Sequence, residues 1–310
     1  MSPDSSVTTI VGALPTESLH AVLELLDGAT RHDGVRPLSE HASLHLRHGG
    51  DSGVTHVLAH YAGALAGYLH LDTTDVVQGP SAELVVVPGM RKLGIGSLLL
   101  ATATQLAGDK PLRLWAHGDS ADANAFAKAR GFVRQRRLLQ MRRSLYAPLP
   151  RPLLPEGVSV RGFRPGTDDE QWIALNAEAF ANLPDQGKWT MHDLRIRLAE
   201  PWFDAEGLLV AADAHGRLVG THWTKTHGAS HHADHVHERI GEVYVLGVAD
   251  RARGTGLGRA LTILGLEHLR DLGLGAVMLY VDEANQPAIR VYEGLGFTHW
   301  DSDVLYRSSP

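Results

Sequence analysis

The chain contains no cysteine. That removes disulfides, thiolate metal centres and a cysteine nucleophile from consideration. No apolar stretch approaches the ~20 residues that cross a bilayer, so no membrane partner is expected. The opening "MSPDSSVTTI" lacks the basic start and apolar core of a secretory signal, and a cytoplasmic location is the expectation. A basic excess is also missing. The formal net charge is −6, which argues against nucleic acid, whose binders show a basic face. What remains is ordinary globular material: 310 residues, 44 % hydrophobic and 21 % charged, enough for about two domains with real cores.

The chain repeats itself. "RKLGIGSLL" begins at Arg91 and "RGTGLGRAL" at Arg253, 162 residues later (253 − 91). Both read Arg-x-x-Gly-x-Gly and then an apolar run. A self-match at half the chain length indicates duplication, not a short-period solenoid. Pro148, Pro150, Pro152 and Pro155 punctuate the middle, and proline fixes φ and lacks an N–H, so 148–156 reads as an extended linker. Each side runs through one order. A strand and a helical pattern (Thr16–Leu26; Asp168–Phe180) come first. Hairpins follow at His56–Leu71 and Leu208–Lys225, turning at Ala62-Gly63 and His215-Gly216. Then come an apolar strand, the glycine loop, a helix, a strand, a short helix ending in Gly-Phe, and a closing strand. The expected fold class is α/β: two tandem domains, 1–147 and 157–310, each a mixed, mostly antiparallel twisted sheet flanked by helices.

Strand, glycine-rich turn and helix is an anion-binding order. The first helical N–H groups have no partner in the helix, and the dipole there is positive. Glycine removes the Cβ, so a phosphate can approach the backbone. In the second half the N–H groups of Gly254 to Arg259 would hold a pyrophosphate, with Arg251 and Arg253 beside it.

Arg-x-x-Gly-x-Gly after an apolar strand, followed by "NQPAIRVYEGLGF", resembles the GNAT acetyltransferase superfamily. The resemblance implies acetyl-CoA as co-substrate, with no metal. It implies that the loop takes the pyrophosphate and that the pantetheine arm lies where two strands splay apart. Coenzyme contacts then fall on Leu246, Gly247, Val248, Arg253, Gly254, Thr255, Gly256, Leu257, Gly258 and Arg259, and on Asn285, Gln286, Pro287, Ala288, Ile289 and Arg290. In the first half they fall on Leu84, Val85, Val86, Lys92, Leu93, Gly94, Ile95, Gly96 and Ser97. The tandem arrangement, with "HDGVRPLSE", "QGKWT", "PWFDAEGL" and "GEVYVLGV", is similar to a two-domain branch of that superfamily. Its members acetylate the cysteinyl amine of a Cys–glucosamine–inositol pseudodisaccharide.

Amine acetylation needs few groups. A free α-amine has a pKa of about 8, so a modest base suffices, and the thioester oxygen needs a donor. The resemblance gives Glu242 as base, Tyr292 as acid at the coenzyme sulfur, and the Leu246 N–H for the oxyanion. The same offsets in the first half give Pro80 for Glu242, Ala127 for Tyr292 and Ser120 for Asn285. The second half is therefore the expected catalyst, and the first a degenerate cradle that binds coenzyme without turnover. From residue chemistry alone, Tyr292 reads first as a core residue on the apolar face of its helix, beside Ile289 and Leu295, and Glu242 as a solvated strand end. By the loop offset Glu83 matches Val245, so it receives no role.

Acceptor contacts implied by the resemblance are Glu40, Asp185, Lys225, Glu242 and Tyr280. Asp185 departs from the pattern, which has glutamate in "PDQG". Trp189, Trp202 and Trp223 read as packing. His227, His231, His232, His235 and His237 crowd one polar stretch without regular helical spacing, so no metal site is assigned there. The expected partner is a small molecule, handled by a monomer. Two other readings stay open: a GNAT enzyme for another amine (an aminoglycoside or a protein N-terminus), and a non-catalytic coenzyme-A sensor.

Overall fold

The computed structural model describes residues 5–49, 53–75, 78–181, 183–228 and 239–309, without the side chains of 184 and 185. By contacts the chain forms two compact units: Met1–Leu139 with Asp301–Pro310, and Gln140–Trp300. This division departs from the expected chain-order boundary at the proline-rich stretch. The reason lies in the closing strand, whose last residues pair with a strand of the first unit.

The first unit begins with β1 (Ser5–Val11), α1 (Thr16–Asp33) and α2 (Glu40–His48). It continues through β2 (Val54–Tyr61), β3 (Ala64–Asp72), β4 (Ser81–Val86), α3 (Ile95–Ala107), β5 (Arg113–Ala116) and α4 (Ala121–Lys128). Strand β6 (Phe132–Ser144) then carries the chain into the second unit. There follow β7 (Ser159–Gly162), α5 (Asp169–Ala179), α6 (Pro184–Gly187), α7 (Met191–Leu198), β8 (Leu208–Ala212), β9 (Leu218–His227) and β10 (Ile240–Val248). Helix α8 (Leu257–Asp271), β11 (Ala276–Asp282), α9 (Gln286–Glu293) and β12 (Thr298–Ser308) complete it.

In the first unit the strand order is β1-β2-β3-β4-β5-β12, antiparallel except for β4 and β5. In the second it is β6-β11-β10-β9-β8-β7, with β10 and β11 parallel. Both hairpins fall where the turn residues put them. Ala62 and Gly63 both take positive φ, 48° and 81°, the conformation of a primed turn that matches strand twist. Both helical patterns at the starts of the halves form helices, and α1 runs on past Leu26 to Asp33, ending on a left-handed Gly34.

Each sheet is covered on both faces. In the first unit α1 and α2 bury Val22, Leu25, Ala42 and Leu46 against Tyr68 and Val85, while α3 packs Leu99 and Ala103 on the other face. In the second, α5 and α7 close an aromatic core of Trp172, Trp223, Trp189, Trp202 and Tyr244. Helix α8 packs Leu257 and Leu261 on the opposite face. The tryptophans are thus packing residues, as their sequence setting indicated. Fully burying one aromatic contributes ~1.5–3 kcal/mol, so this cluster fixes where β9 and β10 lie.

Candidate active site

Strands β10 and β11 pair only from Ile240 to Val243, against Ala276 to Leu279. Beyond that point Tyr244–Val248 has β9 on one side and, among the described residues, no paired strand on the other. The same parting occurs in the first unit, where β4 and β5 pair only from Ser81 to Glu83. The candidate coenzyme residues Leu246, Gly247 and Val248 lie along one opening, and Leu84, Val85 and Val86 along the other.

The second opening has a bulge that the first lacks. The β10–β9 register slips between Val243 and Val245, so Tyr244 is an extra residue. Strand β4 pairs with β3 without a slip. A bulge kinks the strand and reverses which side chains face which way. Before it, Glu242 lies opposite Lys225; after it, Leu246 lies opposite His222, on the α8 side. Simple alternation would put Glu242 and Leu246 on one face. The bulge also corrects the match between halves. Glu242 pairs with Met278 and Ser81 with Arg113, and these partners occupy equivalent places when Asn285 is set on Ser120. The counterpart of Glu242 is therefore Ser81, one residue from the Pro80 that the loop offset gives.

Glu242 is 9 % exposed and its Oε2 lies 2.6 Å from His227 Nε2. His227 is a diagonal neighbour across the β9–β10 ladder, where side chains on one face can meet. Sequence reading placed His227 in a polar cluster and missed this contact, because only strand register reveals it. The other four histidines of that stretch lie outside the described residues. Lys225 is buried, with Nζ 4.4 Å from the Trp202 ring and 5.0 Å from Tyr244, and a desolvated ammonium gains most from such faces. By register Tyr280 lies on the same sheet face as Glu242 and Lys225, and its hydroxyl accepts from Gln140 Nε2 at 2.6 Å. Three of the expected acceptor contacts thus share one face of the second unit. Glu40 opens α2 of the first unit, beside the cap Ser39. The side chain of Asp185, in α6, lies outside the described ones.

Tyr292 projects from α9 into the core, 7 % exposed, edge-on to Phe297 at 5.7 Å. Burial pushes its phenol up to about 12, so it stays protonated at neutral pH. Its counterpart Ala127 is equally buried and carries no hydroxyl. Asn285 caps α9, its side chain accepting from the Ala288 N–H at 3.3 Å, and Ser120 caps α4 in the same way. That role is structural in both halves and explains why the two residue types interchange.

The glycine loop has the geometry of an anion cradle. Gly254 and Gly256 take φ of 76° and 87°, and a Cβ on either would meet nothing within 4 Å. Helix α8 starts with no side-chain cap and no acidic residue in its first turn. Helix α3 starts the same way behind Gly94. The uncapped N–H groups and open space suit a phosphate. Arg253 donates to the Ala179 carbonyl at 3.1 Å, and Arg251 to that of Leu218 at 2.8 Å, so both also fasten the loop. Arg259 is exposed at the start of α8. In the first unit Lys92 stands at the place of Gly254 with φ 65°, a strained conformation for a side-chain-bearing residue. Ser97 there is already engaged by Arg130.

The first unit carries a different polar knot at its opening. Glu83 accepts from the Ser39 N–H and hydroxyl at 2.6 and 2.7 Å, and His117 bridges it to Asp303 at 3.1 and 3.0 Å. His117 hydrogen-bonded between two carboxylates is raised to about 10, against burial, and Glu83 is held down to about 2 by the same pairing. Every oxygen of Glu83 is committed, which leaves it a structural residue.

A strand parting from its parallel neighbour, a bulge beside the parting, and a glycine loop feeding an uncapped helix together define the class. The chain belongs to the acetyltransferase (GNAT) family, whose pattern matches residues 19–132 and 171–297. It is an acetyl-CoA-dependent N-acetyltransferase. Relatives matching it nearly end to end are mycothiol acetyltransferases. That of Acidothermus cellulolyticus is 53 % identical over 95 % of this chain and 92 % of its own, and that of Thermomonospora curvata 50 % over 99 % of both. Among solved structures, a tandem GNAT protein from the clavulanic acid biosynthesis pathway shares the fold, with a TM-score of 0.72 at 20 % identity over 98 % of this chain and 99 % of that one. A GCN5-related N-acetyltransferase from Sphaerobacter thermophilus gives 0.68 at 24 % identity, over 97 % of this chain and 95 % of that one.

Proposed function

We propose that the chain moves the acetyl group of acetyl-CoA onto the cysteinyl amine of Cys–glucosamine–inositol, the step that completes mycothiol. The end-to-end identity with mycothiol acetyltransferases carries this reading. The site supports it, because Glu242, Lys225 and Tyr280 give one face both charge signs and a hydroxyl partner. A polyhydroxylated, amine-bearing acceptor needs such groups.

In this reading Glu242 takes the proton of the attacking amine, with His227 holding its carboxylate. The nitrogen bonds to the thioester carbon, and the Leu246 N–H receives the developing oxyanion. The carbon–sulfur bond then breaks and the thiolate leaves. A phenol near 12 is a weaker acid than a thiol at about 8.5, so Tyr292 acts chiefly as a hydrogen-bond donor to sulfur as charge builds there. The proton released from the amine balances the free thiol of coenzyme A. The second cradle holds the reacting coenzyme, and the first binds it without turnover, since Ser81 and Ala127 replace Glu242 and Tyr292. The enzyme works in the cytoplasm as a monomer.

The test is acetylation of purified Cys–glucosamine–inositol beside aminoglycosides and free peptide N-termini. Preference for the pseudodisaccharide by at least a hundredfold in kcat/KM supports the reading. Equal or better turnover of another amine overturns it.

A further inference from the structure

One cluster of the first unit shares no residue with its glycine loop. His41 and His45 stand four residues apart on α2, so both face the same side of the helix. Asp72 ends β3. One ligand-type atom of each residue lies within 4.8 Å of the others. We propose that His41, His45 and Asp72 form a binding site for a divalent transition metal of the zinc class.

The donor set suits that ion. Two imidazoles and a carboxylate match zinc and its neighbours, whereas calcium and magnesium require oxygen donors. The cluster already leans inward. His41 Nε2 lies 3.0 Å from Asp72 Oδ2, and the two imidazole rings are 4.1 Å apart between centroids. Tetrahedral donors sit about 3.4 Å apart when each is about 2.1 Å from the ion, so the approach needs only small side-chain rotations. Neighbouring groups hold the donors in place. Asp72 Oδ1 accepts from the Thr74 N–H at 2.8 Å and its hydroxyl at 2.7 Å, which steadies the carboxylate while Oδ2 faces His41. His45 Nδ1 lies 3.2 Å from Nε2 of the buried His70, a contact that orients the ring. Outer partners of this kind are what metal-binding histidines and carboxylates require. Access is open, because the His41 side chain is 49 % exposed while that of Asp72 is 12 % exposed. Three protein donors leave a fourth position for water.

The histidine-rich stretch at 227–237 is a competing source of metal affinity, so the experiment separates the two. Full-length protein is made without a polyhistidine tag, stripped with chelator and titrated with zinc by competition against a chromophoric chelator. Cobalt serves as a second probe, read by visible absorption. One equivalent per chain is expected. His41→Ala and Asp72→Asn should each weaken it at least tenfold, with an unchanged circular dichroism spectrum. Changing His231, His232, His235 and His237 together to serine should leave it intact. Lack of a stoichiometric equivalent in the parent overturns the proposal. So does binding that survives His41→Ala and Asp72→Asn when these are made in the fourfold serine background, or that disappears in the fourfold serine variant itself.

Discussion

Glu242 sits on a strand, between a lysine directly opposite and a histidine one diagonal away, and the proposed base role rests on that setting. Glu242→Gln should lower kcat about 10²–10⁴-fold with little change in KM for acetyl-CoA, measured by steady-state kinetics, because it removes proton transfer alone. His227→Ala keeps the carboxylate but removes the imidazole that holds its Oε2. A drop in kcat of about 10–100-fold at near-constant KM is expected, and an unaltered kcat would remove His227 from the site. Tyr292 makes a different prediction. Its phenol is raised to about 12, so it contributes no basic limb to the kcat/KM profile below about pH 11, and Tyr292→Phe should lower the whole profile without changing its shape. The placements of Glu242 on β10 and Tyr292 on α9 were legible because each sits at a fixed distance from a motif. His227 was not, because its partner is fifteen residues away in sequence and meets it only through strand register.

At the scale of elements, the loop is fixed by backbone conformation. Gly256 has φ 87° with open space above it, so Gly256→Ala adds strain of about 1–2 kcal/mol and a methyl group in the space proposed for the pyrophosphate. Acetyl-CoA binding should weaken about tenfold, read by calorimetry. The strand–loop–helix order was plain in the sequence, since the Arg-x-x-Gly-x-Gly spacing encodes positive φ and a helix start. The bulge at Tyr244 was not. Nothing in "GEVYVLGV" marks an extra residue, because a bulge arises from how β9 lies against β10 over the aromatic core. Counting along the sequence therefore assigned Pro80, where the paired strands assign Ser81.

At the scale of the molecule, the two copies differ in what fills their openings and in which strand completes the sheet. Val304, Leu305 and Tyr306 of β12 are buried against the first unit, beside β5. A chain ending at Trp300 would lose about 5–8 kcal/mol of that burial, a large share of a domain's stability. Loss of the cooperative thermal transition of the first unit is expected. The Glu83–His117–Asp303 knot adds a pH signature. His117 is raised from 6.5 to about 10, so its stabilisation is complete below pH 6.5 and fades as pH climbs to 10. Glu83 is lowered from 4.5 to about 2, so its share is complete above 4.5 and is lost toward 2. The Tm of the first unit should fall from pH 6.5 to 10, and His117→Gln should flatten that slope. The amino-acid order alone determined the duplication, the two glycine loops with the helices that follow them, and which half carries Glu242 and Tyr292, because spacing along the chain encodes turns, helix starts and motifs. Only tertiary structure decided the bulge, the His227 contact, the metal-type cluster and the strand that closes the first sheet, because each depends on residues far apart in sequence meeting through packing.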